Sequence, residues 1–181
     1  MSVRARRLEN EWKLLATLGE HNPAVLEVVR RETLPDADIF HVILHRTSAM
    51  SLGPPPVLLE NASHSVAFRY PSYYPSVPIE AFLGKPVFHP NVHPENGFVC
   101  LWDRFSSGDT IVEALSKLQK VITWELRNDR TEHVMQPDAL ASGRNINPAL
   151  QCEHLHVSAA LKLERAYARK PEGLRRVRLS V

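Results

Sequence analysis

Between residues 70 and 102 the chain carries Pro71, Pro75, Pro78, Pro86, Pro90 and Pro94, together with Tyr70, Tyr73, Tyr74, Phe82, Phe88, Phe98 and Trp102. Prolines at this density break helices and remove ladder donors, so most of the stretch must be extended loop. A disordered proline-rich linker would not hold so many rings, because disordered segments are poor in aromatic residues. The combination predicts a rigid, irregular loop pinned by buried side chains. Loops of that kind on a fixed scaffold often carry chemistry.

The flanking sequence supplies the scaffold. Leu8, Trp12, Leu15 and Leu18 recur at helical spacing, with Arg6, Arg7, Glu9, Glu11 and Lys13 on other faces. That pattern predicts an amphipathic first helix ending near Gly19, before Asn22-Pro23. Residues 25–30 and 39–46 read as strands joined by a turn at Leu34-Pro35-Asp36. Further short strands are expected at 57–60, 65–70 and 79–83. Thr110 and Glu113 have capping-box spacing, and Ile111, Leu115, Leu118 and Ile122 then form one helical stripe, reaching toward Leu126. A polar loop is expected over 127–145. A last helix should follow, capped at Asn147-Pro148, with Leu150, His154, Val157 and Leu161 as its stripe. The order is a helix, about four strands, a structured loop and two helices. It argues for an α+β domain with an antiparallel four-stranded meander and helices packed on it.

Composition narrows the function classes. The 181 residues fit one domain, assigned to 1–170, with a basic tail at 171–181. A formal net charge of +2 is too small to imply nucleic acid. The basic end (Lys162, Arg165, Arg169, Lys170, Arg175, Arg176 and Arg178) has no interleaved ring beyond Tyr167, so it reads as solvated. Two cysteines without a CxxC pair point to reduced thiols in a cytosol. The first ten residues lack a signal-peptide core, and no stretch approaches a membrane span. The expected setting is soluble and cytoplasmic.

Cys100 is the residue with the most informative surroundings. His89-Pro90-Asn91 lies nine residues before it, Gly97 three before it, and Phe98-Val99 and Leu101-Trp102 frame it. An apolar frame holds a thiol in place, and a glycine lets the backbone turn toward it. Three readings are open on these residues. The thiol is an inert small hydrophobe, a zinc ligand together with His89 and His93, or a nucleophile. Cys152 has no such frame and reads as a spare thiol on the last helix. His154 and His156 read as ordinary.

The longer pattern is more specific. Tyr70-Pro71-Ser72-Tyr73-Tyr74-Pro75, then Pro78 and Phe82, precede Phe88-His89-Pro90-Asn91, and Gly97-Phe98-Val99-Cys100-Leu101 follows. In that order these motifs resemble the ubiquitin-conjugating enzyme family, sharply over about a fifth of the chain. The resemblance implies a ubiquitin-conjugating-like fold: an N-terminal helix, a meander, an active-site loop and C-terminal helices. It implies that Cys100 accepts a ubiquitin-like protein as a thioester from an activating enzyme and passes it to an amine of a target. Asn91 would either donate its amide to the developing oxyanion or brace the loop. His89, Pro90 and Gly97 would support the loop, and Tyr74 would be a core ring. Neither a cofactor nor a metal is expected. The first helix, with Arg4, Arg6, Arg7 and Lys13, is the expected contact for an activating-enzyme-like partner.

The resemblance has gaps. The family's Trp-Ser-Pro after the cysteine is missing, the 102–109 loop is short, and 48–63 lacks the usual Gly-rich hairpin. No acidic residue clearly matches the one that orients an incoming lysine; Asp103, Asp109 and Asp129 are candidates. These departures suggest a distant branch, such as the conjugating enzymes of bacterial ubiquitin-like operons. The rival function is a non-catalytic binding module of the same fold. Such relatives usually lack the cysteine, which is present here.

Overall fold

The computed structural model describes residues 2–143 and 150–168. The chain opens with helix α1 (Val3–His21), whose N-cap Ser2 accepts a hydrogen bond from the Ala5 amide at 3.1 Å. Leu8, Leu14, Leu15 and Leu18 are its buried face. Each such leucine contributes about 2 kcal/mol by leaving water, which is why this face and not the arginine face turns inward. Asn22 ends the helix, donating Nδ2 to the Leu18 carbonyl at 2.7 Å.

Strands β1 (Leu26–Thr33) and β2 (Ala37–Leu44) form the first hairpin. A two-stranded ribbon, β3 (Ala49–Met50) with β4 (Leu58–Leu59), intervenes before β5 (His64–Pro71) and β6 (Glu80–Leu83). Phe40, Val42 and Leu44 on β2 face Phe68, Val66 and His64 on β5, all buried. The period-two alternation of these strands therefore fixes which face meets the helices. The main sheet runs β1-β2-β5-β6-β7, every pair antiparallel. Four of these strands were expected. The fifth, β7 (Phe98–Val99), is only two residues long, too short to show a period.

Helix α2 (Ile111–Ile122) buries its predicted stripe and stops at Thr123. The capping box does not form: Thr110 makes no side-chain cap bond. Instead Glu11, from the middle of α1, accepts from the Ile111 amide through Oε2 at 2.7 Å. Its Oε1 accepts from the Tyr74 hydroxyl at 2.8 Å and pairs with Arg7 at 2.8 Å. Burial pushes the Glu11 carboxyl above the usual carboxylate range, and Arg7 opposes the shift. The carboxylate keeps its place because each oxygen has a partner.

The later chain departs from expectation in three places. The 127–145 segment is not a plain loop, because it contains a 3-10 turn (Thr131–His133) and helix α3 (Pro137–Ser142). The last helix, α4, spans Ser158–Ala168, so Leu150, Cys152, His154 and Val157 lie before it. Their segment is extended, with Cys152 bridged to Thr47 and Ser48 donating to the Gln151 carbonyl at 2.9 Å. Tertiary backbone bonds outweigh the helical spacing there. Third, the 48–63 region, Gly-poor as expected with Gly53 alone, still pairs as the short β3–β4 ribbon. The Asn147-Pro148 cap and the basic tail at 171–181 lie outside the described residues. Among the described residues no helix is long and apolar enough to cross a membrane.

Candidate functional site

The aromatic loop is pinned by buried rings, as its composition predicts, except that Tyr73 stands exposed. Tyr70 and Tyr74 are buried and stack edge-on at 4.9 Å, and Tyr70 packs on Phe40 at 4.5 Å. The Tyr74-Pro75 peptide is cis. Tyr74 thus belongs to the Glu11 junction and the core.

Farther along, the backbone folds His89-Pro90-Asn91 against residues 97–101. Val92 bridges Val99, and the Cys100 amide donates to the Asn91 carbonyl at 2.8 Å. Gly97 has φ +71, and a Cβ there would collide with the Leu83 carbonyl oxygen. Only glycine lets β7 lie this close to β6, whose Leu83 amide donates to the Gly97 carbonyl at 2.8 Å. The glycine thus serves strand pairing three residues upstream of the thiol.

Cys100 is half-buried between buried Val99 and Leu101. Its neighbour Trp102 is fixed by an indole N–H bond to the Ile79 carbonyl at 2.8 Å and by Lys117 over the ring at 4.2 Å. Burial raises the Cys100 thiol above its ordinary pKa, the Trp102 amide opposes this, and Asp103 adds to it. Of the three acidic candidates, Asp103 is therefore the one that acts on the thiol. Asp109 accepts from the Ser106 amide at 2.8 Å, and Asp129 pairs with Arg127 at 3.0 Å.

Asn91 is buried and uses both ends of its amide. Nδ2 donates to the Cys100 carbonyl at 2.9 Å, and Oδ1 accepts from the Asn128 amide at 2.7 Å. Nδ2 carries a second hydrogen, so bracing the loop leaves one donor over. His89 is fully buried; its Nδ1 accepts from the Asn91 amide at 3.0 Å, and its ring meets Trp124 edge-on at 4.7 Å. Burial pushes its pKa down to about 3, so the ring is neutral at ordinary pH. The Pro90 carbonyl accepts from the Met135 amide at 2.9 Å.

The structure thus gathers Cys100, Asn91, His89, Pro90 and Gly97 into one unit. It does not gather His89, His93 and Cys100 as ligands: both histidines accept backbone amides through Nδ1, that of His93 from Glu95 at 3.3 Å. Sequence reading missed Trp124, Asn128 and Gln136. Gln136 is buried and donates Nε2 to the carbonyls of Val87 and Val92, at 2.9 and 2.8 Å, clamping both flanks of His89-Pro90-Asn91. These residues sit singly in an aperiodic segment, and Trp124 has the left-handed φ of +65, so neither spacing nor propensity marks them.

Solved structures that share this fold include proteins described as ubiquitin-conjugating enzymes. One from Plasmodium yoelii superposes with a TM-score of 0.53 over 88% of this chain and 94% of that one, at 15% identity. One from Trypanosoma cruzi gives 0.52 over 81% and 92%, also at 15% identity. The fold is the ubiquitin-conjugating fold. In sequence, the chain is similar to Protein PEROXIN-4 of Arabidopsis thaliana, 32% identical over 77 residues, 40% of this chain and 49% of that protein. It is also similar to the ubiquitin-conjugating enzyme E2 pex4 of Dictyostelium discoideum, 34% identical over 97 residues, 54% of this chain and 58% of that protein. The matched part thus spans about half the length of these curated relatives. No family model matches the sequence. The homologues and structural neighbours are of the ubiquitin-conjugating kind, and within that fold the loop bearing Cys100 is the candidate active site.

Proposed function

We propose that the protein accepts a ubiquitin-like protein as a thioester on Cys100 and transfers it to an amine of a target protein. The observation that carries this reading is the half-exposed thiol of Cys100 in a hydrogen-bonded, largely apolar frame closed by Asn91. Among the described residues no histidine or carboxylate hydrogen-bonds that thiol, unlike the paired base of a cysteine hydrolase. Exchange of one thioester for another demands less of the nucleophile, because a thiolate replaces a thiolate. Sγ bonds to the modifier's C-terminal carbonyl carbon, the activating enzyme's thiolate leaves, and the Cys100 proton balances it. The target amine then attacks the same carbon, Cys100 leaves as thiolate, and the amine proton is released. Asn91 is bonded through Nδ2 to the Cys100 carbonyl and keeps a spare N–H to offer the oxyanion.

The partners that follow are a ubiquitin-like protein, an activating-enzyme-like protein meeting α1, and a target. The cytosol, with its reduced thiols, suits this chemistry. The branch resembling bacterial ubiquitin-like operons rests on the missing Trp-Ser-Pro, the short 102–109 loop, the unmatched acidic residue and the Gly-poor 48–63 region.

The test is loading with the cognate activating enzyme, ATP and ubiquitin-like protein. Wild type should form an adduct that added thiol destroys. Cys100→Ser should give a thiol-resistant ester, because a hydroxyl is acylated but leaves poorly. Cys152→Ser should load like wild type. An adduct that follows Cys152, or that forms without either cysteine, overturns the reading.

A further inference from the structure

Away from Cys100, the fold brings together three side chains that are unconnected in sequence. Glu125 follows α2, while Cys152 and His154 lie on the extended segment before α4. Each offers one donor atom, and the three lie within 4.8 Å of one another. Cys152 Sγ is 3.6 Å from His154 Nδ1 and 3.9 Å from Nε2, and that Nε2 is 3.9 Å from Glu125 Oε1. A tetrahedral zinc ion, with Zn–S of about 2.3 Å and Zn–N or Zn–O of about 2.0–2.1 Å, has S···N edges of about 3.6 Å and N···O edges of about 3.4 Å. With Nε2 as the donor nitrogen, the S···N and N···O separations of 3.9 Å are within about half an ångström of those edges, and the third pair closes within 4.8 Å. We propose that Glu125, Cys152 and His154 bind a zinc-like divalent cation, with the fourth position open to water or an external donor.

The backbone holds the three donors in advance. Side chains two apart on an extended segment project to one side, so Cys152 and His154 stand together. The Ser48 amide donates to the Gln151 carbonyl at 2.9 Å and the Glu153 amide to the Arg46 carbonyl at 3.3 Å, fixing both flanks of Cys152. Gln119, buried on α2, fixes both flanks of His154. Its Nε2 donates to the Glu153 carbonyl at 3.0 Å and its Oε1 accepts from the Leu155 amide at 3.3 Å. Thr123 Oγ1 lies 3.2 Å from Glu125 Oε1 and anchors the carboxylate. Ligands on pinned backbone bind with little ordering cost.

The donor set selects the ion class. A thiolate, an imidazole and a carboxylate suit zinc and its soft neighbours, whereas magnesium and calcium want oxygen alone. Two negative charges and a neutral ring balance a divalent cation. A surface recess lined by Arg46, Asn61, Gln151, Cys152 and Glu153 gives access to the sulfur. The bound ion would fasten the extended segment to the end of α2, next to Trp124, which packs on His89.

The full chain, kept reduced with a phosphine, should be titrated with Co²⁺ and then Zn²⁺. One equivalent of Co²⁺ should produce a sulfur-to-metal charge-transfer band that Zn²⁺ erases. Cys152→Ser should abolish the band, and His154→Gln and Glu125→Gln should each weaken binding. Cys100→Ser should leave it intact. His154 and Glu125 are exposed, so their variants should keep the wild-type circular dichroism. Absence of a band, a band that survives Cys152→Ser, or one indifferent to both His154→Gln and Glu125→Gln overturns the site. None of these readings depends on whether Cys100 forms a thioester.

Discussion

The two cysteines sit in environments that differ in kind. Both are half-buried, and burial raises both thiols. Around Cys100 the contacts are main-chain bonds, an asparagine amide and apolar walls, with one acidic neighbour, Asp103, acting at longer range. Around Cys152 a carboxylate and an imidazole come within reach of the sulfur itself. A frame without donors at the sulfur suits the proposed meeting with an incoming carbonyl, while a cluster of donors suits the proposed cation. Exposure and pKa direction do not separate the two roles, but the identity of the neighbours does.

The sharpest way to break the Cys100 side of this comparison is through its glycine. Gly97→Ala places a Cβ against the Leu83 carbonyl and strains a φ of +71. The expected cost is about 3–5 kcal/mol of stability. Urea unfolding of the variant checks it; a loss below 1 kcal/mol would show that β7 is free to shift and that the frame is not rigid.

Asn91→Ala is next in size. It should still load but discharge to lysine about a hundredfold more slowly, the effect of removing one donor worth roughly 3 kcal/mol in a transition state. Single-turnover discharge of preloaded protein measures this. An unchanged rate in a folded variant would leave Asn91 as a brace only.

The smallest effect is in pH. Below its pKa a thiol gains about tenfold in thiolate per pH unit, worth about 1.4 kcal/mol. Because burial and Asp103 hold Cys100 above its ordinary value, loading should keep rising with pH beyond the point where a free cysteine peptide levels off. Asp103→Asn should move the plateau to lower pH. An early plateau in wild type would place an unrecognised positive group beside the thiol.

Much of the fold was legible because its signals are periodic. Leu8, Leu15 and Leu18 repeat at helical spacing, and Phe40, Val42 and Leu44 alternate, so helix and strands could be read locally. The loop was legible through composition, since the rings had to be buried somewhere. Periodicity misled at Leu150, His154 and Val157, where helical spacing coincided with an extended segment held by Arg46, Ser48 and Gln119. Capping-box spacing misled at Thr110, whose side chain makes no cap bond, while a carboxylate from a distant helix takes the neighbouring Ile111 amide. Within the site, the residues of the linear motif could be named in advance. Asn128 and Gln136 could not, because a lone polar residue gives no sign of which distant carbonyl or amide it will meet. The Glu125, Cys152 and His154 cluster was hidden for the same reason.

That distant carboxylate also shapes how the molecule opens. Glu11 joins α1 to Tyr74 in the aromatic loop and to the first amide of α2, so three segments far apart in sequence share one buried charge. Releasing Tyr74 or Ile111 costs the buried carboxylate a partner and leaves Arg7 as its main support. Local fraying at the start of α2 is therefore suppressed, and the Ile111 amide should exchange with solvent only in openings large enough to carry α1 away. The protein's first helix and its central one behave as a single cooperative unit, with the proline-rich loop as its third member.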